Sequence, residues 1–280
     1  MELLPPGACQ QLEGQLKYAR RDLQDLDQLR CYGDPTMSIT TLQEEVQAIH
    51  FSHYAPFLRT LTSGDIRLFL SAFSQKQLEG LKQMLLFSVQ IPRCSLKLSQ
   101  FVCKKLLHEL RSHSVFPVEC LPESPFNLLL SWTNQELNLL CDLFGIYDIA
   151  LEIRHIIDTQ KLRKIYQALS EEQNLYLKKI LQQKEPVRFS PMGLTLWDGN
   201  EEQLCQLIQK RGMSRLAKAL CGSHPSFLWH LTHRFEVSRA ALFSQFQTHP
   251  EPLETHKALI QELLFLLPSK QSIFKKRGDA

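Results

Sequence analysis

The chain has 280 residues, of which 44% are apolar and 22% are charged, and this composition excludes a wholly disordered protein. The length predicts two or three compact domains, or one long helical array, because a single domain usually holds roughly 100–200 residues. Only 11 glycines are present, which disfavours folds that depend on glycine-rich phosphate loops. The net charge is 32 − 29 = +3, and the segment after Leu267 accounts for it, so no nucleic-acid partner is expected.

Cysteine usage and hydropathy predict the cellular compartment of the protein. The eight cysteines include no CxxC pair and do not form a disulfide framework, which favours a reducing compartment. The first residues lack the basic start and the apolar segment of an export signal, and no run approaches the roughly 18 apolar residues of a membrane span. We therefore expect a cytoplasmic protein that reaches a membrane only peripherally, through its partners or its basic tail.

The first predicted units are an N-terminal helical arm, residues 1–35, and a helical domain, residues 36–115. In the arm, apolar side chains at spacings of four and three over residues 8–30 predict an amphipathic helix. This helix either pairs with another chain or folds back on its own domain. In the second unit, Thr62 and Ser74 each precede an apolar helical run and are predicted to cap helices.

A middle helical domain is predicted over residues 116–185. Three prolines between residues 112 and 132 mark the boundary before it. Thr133 then opens a helix with a glutamate three residues on, the pattern of a capping box. Gly145 is predicted to end this helix, and a new helix is expected to start at Asp148.

The last domain is predicted over residues 192–267, and a basic tail follows at 268–280. Its helices are expected at 200–210, 213–221, 224–234, 237–247 and 253–267. Gly212 and Gly222 are the predicted helix ends. No alternating strand with a hairpin turn is seen anywhere in the sequence. The sequence therefore predicts an all-α fold, a multi-helical array of short helix pairs.

One short stretch gathers four potential zinc ligands, Cys221, His224, His230 and His233. The last two histidines are three residues apart, so both can point from one helix face toward a metal. The spacing fits no standard structural zinc pattern, and helix caps or surface histidines are the alternative interpretation. A metal-binding protein or an enzyme that uses this cluster is thus one hypothesis.

The usual motifs of nucleophilic catalysis and phosphate chemistry are missing from the sequence. We therefore predict no catalytic residue, no metal ligand and no cofactor, although groups that only folding brings together leave an enzyme open. Trp197, which precedes an Asp-Gly turn, is a predicted partner-binding residue. A large aromatic side chain in a desolvated pocket can dominate the energy of an interface.

The last domain carries a distinctive order of alanine, leucine and glycine residues. The pieces are Leu216-Ala-Lys-Ala-Leu-Cys-Gly222, Ser238-Arg-Ala-Ala241 and a closing helix that runs through Gln261 to Leu267. In this order, residues 200–267 resemble the C-terminal domain of the flagellar motor switch protein FliG. The resemblance implies a compact helical docking domain.

Two earlier stretches are similar to related proteins. Residues 58–77 resemble the armadillo-like middle repeats of FliG in their pattern of two helices joined by a polar turn. Residues 133–165 are similar to SctK proteins, accessory subunits of non-flagellar type III secretion systems. These resemblances imply a non-catalytic cytoplasmic adaptor of a type III secretion apparatus. Its expected partners are subunits of the inner-membrane ring or the sorting platform, and a ring of copies of this chain is a further expectation.

One helix departs from the FliG pattern. Arg239 matches the arginine of the family's torque helix and is therefore the second predicted partner-binding residue. Phe246 and Gln247 stand where the family carries two carboxylates that face the stator. Without those charges, rotor–stator electrostatics cannot operate in the same way. The resemblance thus implies a non-rotary scaffold, with a generic helical-repeat interaction protein as the remaining alternative.

Overall fold

The computed structural model describes residues 41–86, 91, 94–111, 115–182, 192–248 and 251–267. Every regular element in these ranges is helical and none is a strand, which confirms the all-α prediction. The predicted arm over residues 1–35 and the basic tail over 268–280 lie outside the described residues.

The N-terminal part of the described chain is built of short helices. They are α1 (Leu42–Ala48), α2 (Ala55–Leu58), α3 (Ser63–Leu70), α4 (Gln75–Leu85) and α5 (Leu96–Leu110), with a 3-10 turn at Phe51–His53. Two predicted caps are confirmed, because the Thr62 and Ser74 hydroxyls accept hydrogen bonds from the backbone N–H groups of Asp65 and Gln77. Each bond satisfies an N–H group that the first turn of a helix leaves without a partner.

The C-terminal part holds the two longest of the described helices, Asn134–Ile153 and Glu201–Ala219. Its helices are α6 (Asn134–Ile153), α7 (Thr159–Ala168), α8 (Glu171–Leu181), α9 (Glu201–Ala219), α10 (Pro225–Thr232), α11 (Val237–Gln247) and α12 (Leu253–Leu266). Shorter 3-10 turns lie at Val118–Cys120, Pro125–Ser131 and Leu194–Leu196. The capping box before α6 is confirmed. The Thr133 N–H donates to the Glu136 carboxylate at 2.6 Å, and the Glu136 N–H donates to the Thr133 hydroxyl at 3.2 Å.

Two predicted helix ends are wrong. Gly145 lies inside α6 and Gly212 lies inside α9, so Asp148 starts no new helix and the two helices expected around residue 212 are one. The predicted end at Gly222 is confirmed, because this residue follows α9 with a backbone φ of 82°. Glycine adopts that left-handed conformation without steric cost.

Close packing of α6 against α9 explains both errors. A Cβ atom at Gly212 would lie 1.6 Å from the carbonyl oxygen of Cys141, and one at Gly145 would lie 2.1 Å from the carbonyl oxygen of Ile208. No side chain fits at either distance, since real Cβ atoms essentially never approach other heavy atoms within 3.0 Å. These two glycines therefore allow helices to touch through their backbones, and they do not terminate helices.

Each of these glycines is followed, three residues later, by a member of a buried ion cluster: Asp148 in α6 and Arg215 in α9. Arg215 of α9 is 1% exposed, and it donates to Asp148 Oδ1 of α6 from Nε at 3.1 Å and from Nη2 at 2.7 Å. Its Nη1 atom donates to Glu262 Oε2 of α12 at 2.6 Å. One guanidinium thus links three helices, and losing any member would leave a buried charge without its partner.

The described helices enclose two hydrophobic cores. The larger core draws on residues 129–267 and the smaller on residues 46–107. Helices from both segments predicted as separate domains, 116–185 and 192–267, contribute to the larger core, so those segments share one packed interior. The N-terminal helices supply the smaller core, and Trp229 of α10 packs against it.

Replacing Gly212 with alanine tests the helix crossing. The added methyl group would push α9 away from α6, so we expect Gly212→Ala to lower the free energy of unfolding by about 3 kcal/mol. Gly64→Ala is the matched control, because its Cβ would lie 3.9 Å from the nearest atom, and it should change stability by less than about 1 kcal/mol. Urea titrations followed by circular dichroism measure both values. Equal stability of the two variants would contradict the crossing.

Candidate functional site

Two of the four potential zinc ligands, His224 and His230, hold the chain around α10. The Nδ1 atom of His224 accepts a hydrogen bond from the Ser226 N–H at 3.2 Å and so caps the start of the helix. The Nε2 atom of His230 lies 2.8 Å from the Phe116 carbonyl oxygen, to which it donates. His224 also stacks on the Phe116 ring at 5.4 Å between centroids. Metal binding by either histidine through its bonded ring nitrogen would therefore break a hydrogen bond that holds the chain around α10.

The other two potential ligands, His233 and Cys221, contact different backbone carbonyl groups. The Nδ1 atom of His233 donates to the Trp229 carbonyl oxygen at 2.8 Å, and the Sγ atom of Cys221 lies 4.0 Å from the Gln247 carbonyl oxygen. Among the described residues, no group of three His, Cys, Asp or Glu side chains is placed to hold a metal ion. Folding thus does not gather the four-residue cluster into a coordination site.

Histidines instead join the two cores. The backbone N–H of His50 donates to the His233 carbonyl oxygen at 2.7 Å, and the His53 and His233 rings lie 4.6 Å apart. The Nε2 atom of His53 donates to the Phe235 carbonyl oxygen at 2.9 Å. We call His50, His53 and His233 the histidine seam. It fastens the 3-10 turn before α2 to the chain between α10 and α11.

The histidine seam favours neutral imidazoles. Burial lowers the pKa of His50 and of His53, and it lowers the pKa of His233 to about 4. The neighbouring charges act in both directions, since Glu236 raises the pKa of His50 and Arg239 lowers it. The dominant cause is the loss of water around the charged ring. Protonation therefore works against the contact between the two cores.

Trp197, a predicted partner-binding residue, is buried. Its side chain is 5% exposed and belongs to the larger core, and its Nε1 atom donates to the Asn200 carbonyl oxygen at 2.9 Å. The bond holds the turn that leads into α9. Little of the indole is exposed in this structure, and its binding of another protein stays a prediction.

Arg239, the other predicted partner-binding residue, lines a polar cleft of about 620 Å³ between the two cores. Its guanidinium donates to the side-chain oxygen of Asn138 in α6. Lys76, Arg234 and Glu236 line the same cleft. Arg239 is half-buried and has a partner within the chain, and its binding of another protein stays a prediction.

A groove of about 670 Å³ runs along α5, and the sequence analysis did not predict it. Its lining combines apolar side chains with basic ones, and we call it the basic groove. The lining residues are Leu42, Phe101, Lys104, Lys105, Leu107, His108, Arg111 and Val115. Phe101 is 55% exposed and Leu42 is 38% exposed, so large apolar side chains face solvent between basic ones. Apolar surface that borders charged side chains in this way is typical of a protein-binding site.

The apolar periodicity of α5 indicates its buried face and does not indicate the groove. Leu98, Val102 and Leu106 recur on one face of the helix, and Val102 and Leu106 are indeed buried in the smaller core. Phe101 lies outside this buried stripe. A large aromatic side chain off the core-facing stripe of an amphipathic helix was the available signal.

Comparisons with protein-family models, with curated proteins and with solved structures find no match to this chain. None of the helices described here has both the length and the apolar character needed to cross a bilayer. The similarity to FliG and SctK therefore remains a prediction from sequence motifs.

Acid should weaken the histidine seam. His233 has a pKa of about 4 in the folded chain against 6.5 for an unperturbed histidine, so its contribution to stability is complete above about pH 6.5 and declines as the pH falls toward 4. For His233 alone, this difference corresponds to about 2 kcal/mol less stability at pH 5 than at pH 7. Urea titrations at several pH values measure the decline.

A non-titrating variant identifies the source of this decline. His233→Asn keeps a hydrogen-bond donor and should reduce the dependence of unfolding free energy on pH, while His50 and His53, whose pKa values are also lowered by burial, still contribute to it. His155→Asn, at an exposed histidine, should leave it unchanged. Parallel pH profiles for the wild type and His233→Asn would refute the assignment.

Proposed function

We propose that the protein is a non-catalytic adaptor that binds other protein subunits, one of them through the basic groove. The observation that carries this proposal is the exposure of Phe101 beside Leu42 and two lysines in a groove large enough for side chains of a partner. Covering apolar surface contributes roughly 25 cal/mol per Å², so a partner that fills the groove gains affinity there. The proposal requires no bond-making chemistry.

The packing of the chain supports a scaffold. Glycine contact between α6 and α9 and the buried Arg215 cluster hold the larger core, so its surfaces keep fixed positions. The alternative of a metal-binding protein or enzyme built on the four-residue cluster receives no support, because those side chains bond to separate backbone groups.

The setting of the adaptor follows from the sequence resemblances. On the similarity of residues 200–267 to FliG and of 133–165 to SctK, we place the protein at the cytoplasmic base of a type III secretion apparatus. Its partners there are subunits of the inner-membrane ring or the sorting platform. Phe246 packs against the larger core and Gln247 is half-buried and uncharged, which suits a static role and not torque generation.

A charge placed in the basic groove tests the proposed function. We expect Phe101→Glu in the full-length chain to reduce recovery of secretion-ring or sorting-platform subunits at least fivefold, because a carboxylate on the apolar floor opposes desolvation. The measurement is affinity purification from detergent-solubilised cells with quantitative mass spectrometry. Ile157→Glu is the matched control, since Ile157 is 94% exposed and lies outside the groove.

Two outcomes would contradict the proposal. The first is recovery of no secretion subunit by the wild-type chain, which would refute the setting. The second is equal recovery of those subunits by Phe101→Glu and the wild type, which would refute the groove. Both variants change an exposed side chain, so a thermal melt should show the same stability as the wild type within about 1 kcal/mol.

A further inference from the structure

The charges of the basic groove have one sign. Lys104 and Lys105 are exposed, and neither has an acidic partner among the described residues. Arg111 is different, because its Nη2 atom contacts Glu45 Oε1 at 3.1 Å and its guanidinium lies 5.4 Å above the Trp229 ring. None of the described residues that line the groove carries a carboxylate. Two uncompensated lysines therefore stand beside exposed apolar surface.

The dimensions of the basic groove suit a helix. Its lining follows α5 from Phe101 to Arg111, a rise of about 15 Å at 1.5 Å per residue. Leu42 of α1 and Val115 complete the lining beyond α5. A length of about 15 Å accommodates roughly three turns of a partner helix, the usual extent of helix-in-groove recognition.

We propose that the occupant of the basic groove is an acidic amphipathic helix of a partner protein. Its apolar stripe packs against Phe101 and Leu42, and its flanking carboxylates pair with Lys104 and Lys105. This inference rests on the proposed adaptor function and names the chemistry of the subunit that the groove binds. The lysines select the partner and accelerate association, while the apolar contact supplies most of the affinity.

Other occupants match the charges less well. A second copy of the chain docked groove to groove would bring lysines against lysines, which opposes a two-fold dimer. Residues 8–30 of the chain carry balanced charges, Glu13, Asp22, Asp25 and Asp27 against Lys17, Arg20, Arg21 and Arg30. The C-terminal segment is basic and would be repelled. A lipid surface offers negative charge, but it is flat and the apolar side chains line a concavity.

Designed peptides test the charge of the occupant. The probes are two fluorescent 18-residue amphipathic helices with the same leucine stripe, one flanked by glutamates and the other by lysines. Fluorescence anisotropy with the full-length chain should show that the glutamate peptide binds at least tenfold more tightly than the lysine peptide. Added salt should narrow the difference, because the selecting contacts are exposed ion pairs.

Charge reversal on the protein makes the test specific to the groove. The double variant Lys104→Glu/Lys105→Glu should lose at least tenfold in affinity for the glutamate peptide and gain affinity for the lysine peptide. Phe101→Ala, which removes apolar contact and adds no charge, should weaken the binding of both peptides. The control Lys178→Glu/Lys179→Glu reverses two adjacent exposed lysines of α8, outside the groove, and should leave the preference unchanged.

Three results would overturn the inference. They are equal affinity for the two peptides, a preference that the Lys104→Glu/Lys105→Glu variant keeps, and groove-dependent binding to vesicles of phosphatidylserine and phosphatidylcholine without binding of the glutamate peptide. A dimer in analytical ultracentrifugation that Phe101→Glu dissociates would assign the groove to a second copy and would also overturn it. In each case, loss of secretion subunits from the Phe101→Glu purification would still support the adaptor function, so the two proposals can fail separately.

Discussion

Backbone contact between α6 and α9 is the constraint on which the larger core depends. Gly145 and Gly212 bring the two helices so close that a methyl group at either position would overlap a carbonyl oxygen. Close approach aligns Asp148 with Arg215, and that guanidinium then reaches Glu262 of α12. The larger core, residues 129–267, is organised around this crossing. The N-terminal helices form the smaller core and contact the larger part of the chain through the histidine seam and Trp229.

The N-terminal helices use separate surfaces for the contact with the larger core and for the basic groove. The histidine seam lies on one side of the N-terminal helices, where the His50 backbone N–H and the His53 side chain donate hydrogen bonds to carbonyl oxygens of the chain after α10. The basic groove uses the outer face of α5, where Phe101 and the lysines face solvent. The lining of the groove contains no residue of the histidine seam, so a partner can contact Phe101 and the lysines without displacing the seam.

The sequence predicts helix caps correctly, but it does not predict contacts between distant helices. Thr62, Ser74 and Thr133 indicate helix starts, because a capping side chain bonds to an N–H group only two or three residues away. A glycine is ambiguous in this respect, since Gly222 ends a helix and Gly212 permits contact with another one. The exposure of Phe101 was equally hidden, because it depends on which face of α5 the other helices cover. Burial of Trp197 arises in the same way, from packing that its turn motif does not encode.

The spacing of glycine and charge in the two crossing helices restricts how the chain can change in length. In α6 the aspartate follows the glycine by three residues, and in α9 the arginine follows the glycine by the same number. Inserting one residue between them would rotate the charged side chain by about 100° around its helix axis. A single-residue insertion or deletion within either of these two turns would therefore separate Asp148 from Arg215, whereas a change of length in a joint between helices would leave this spacing intact.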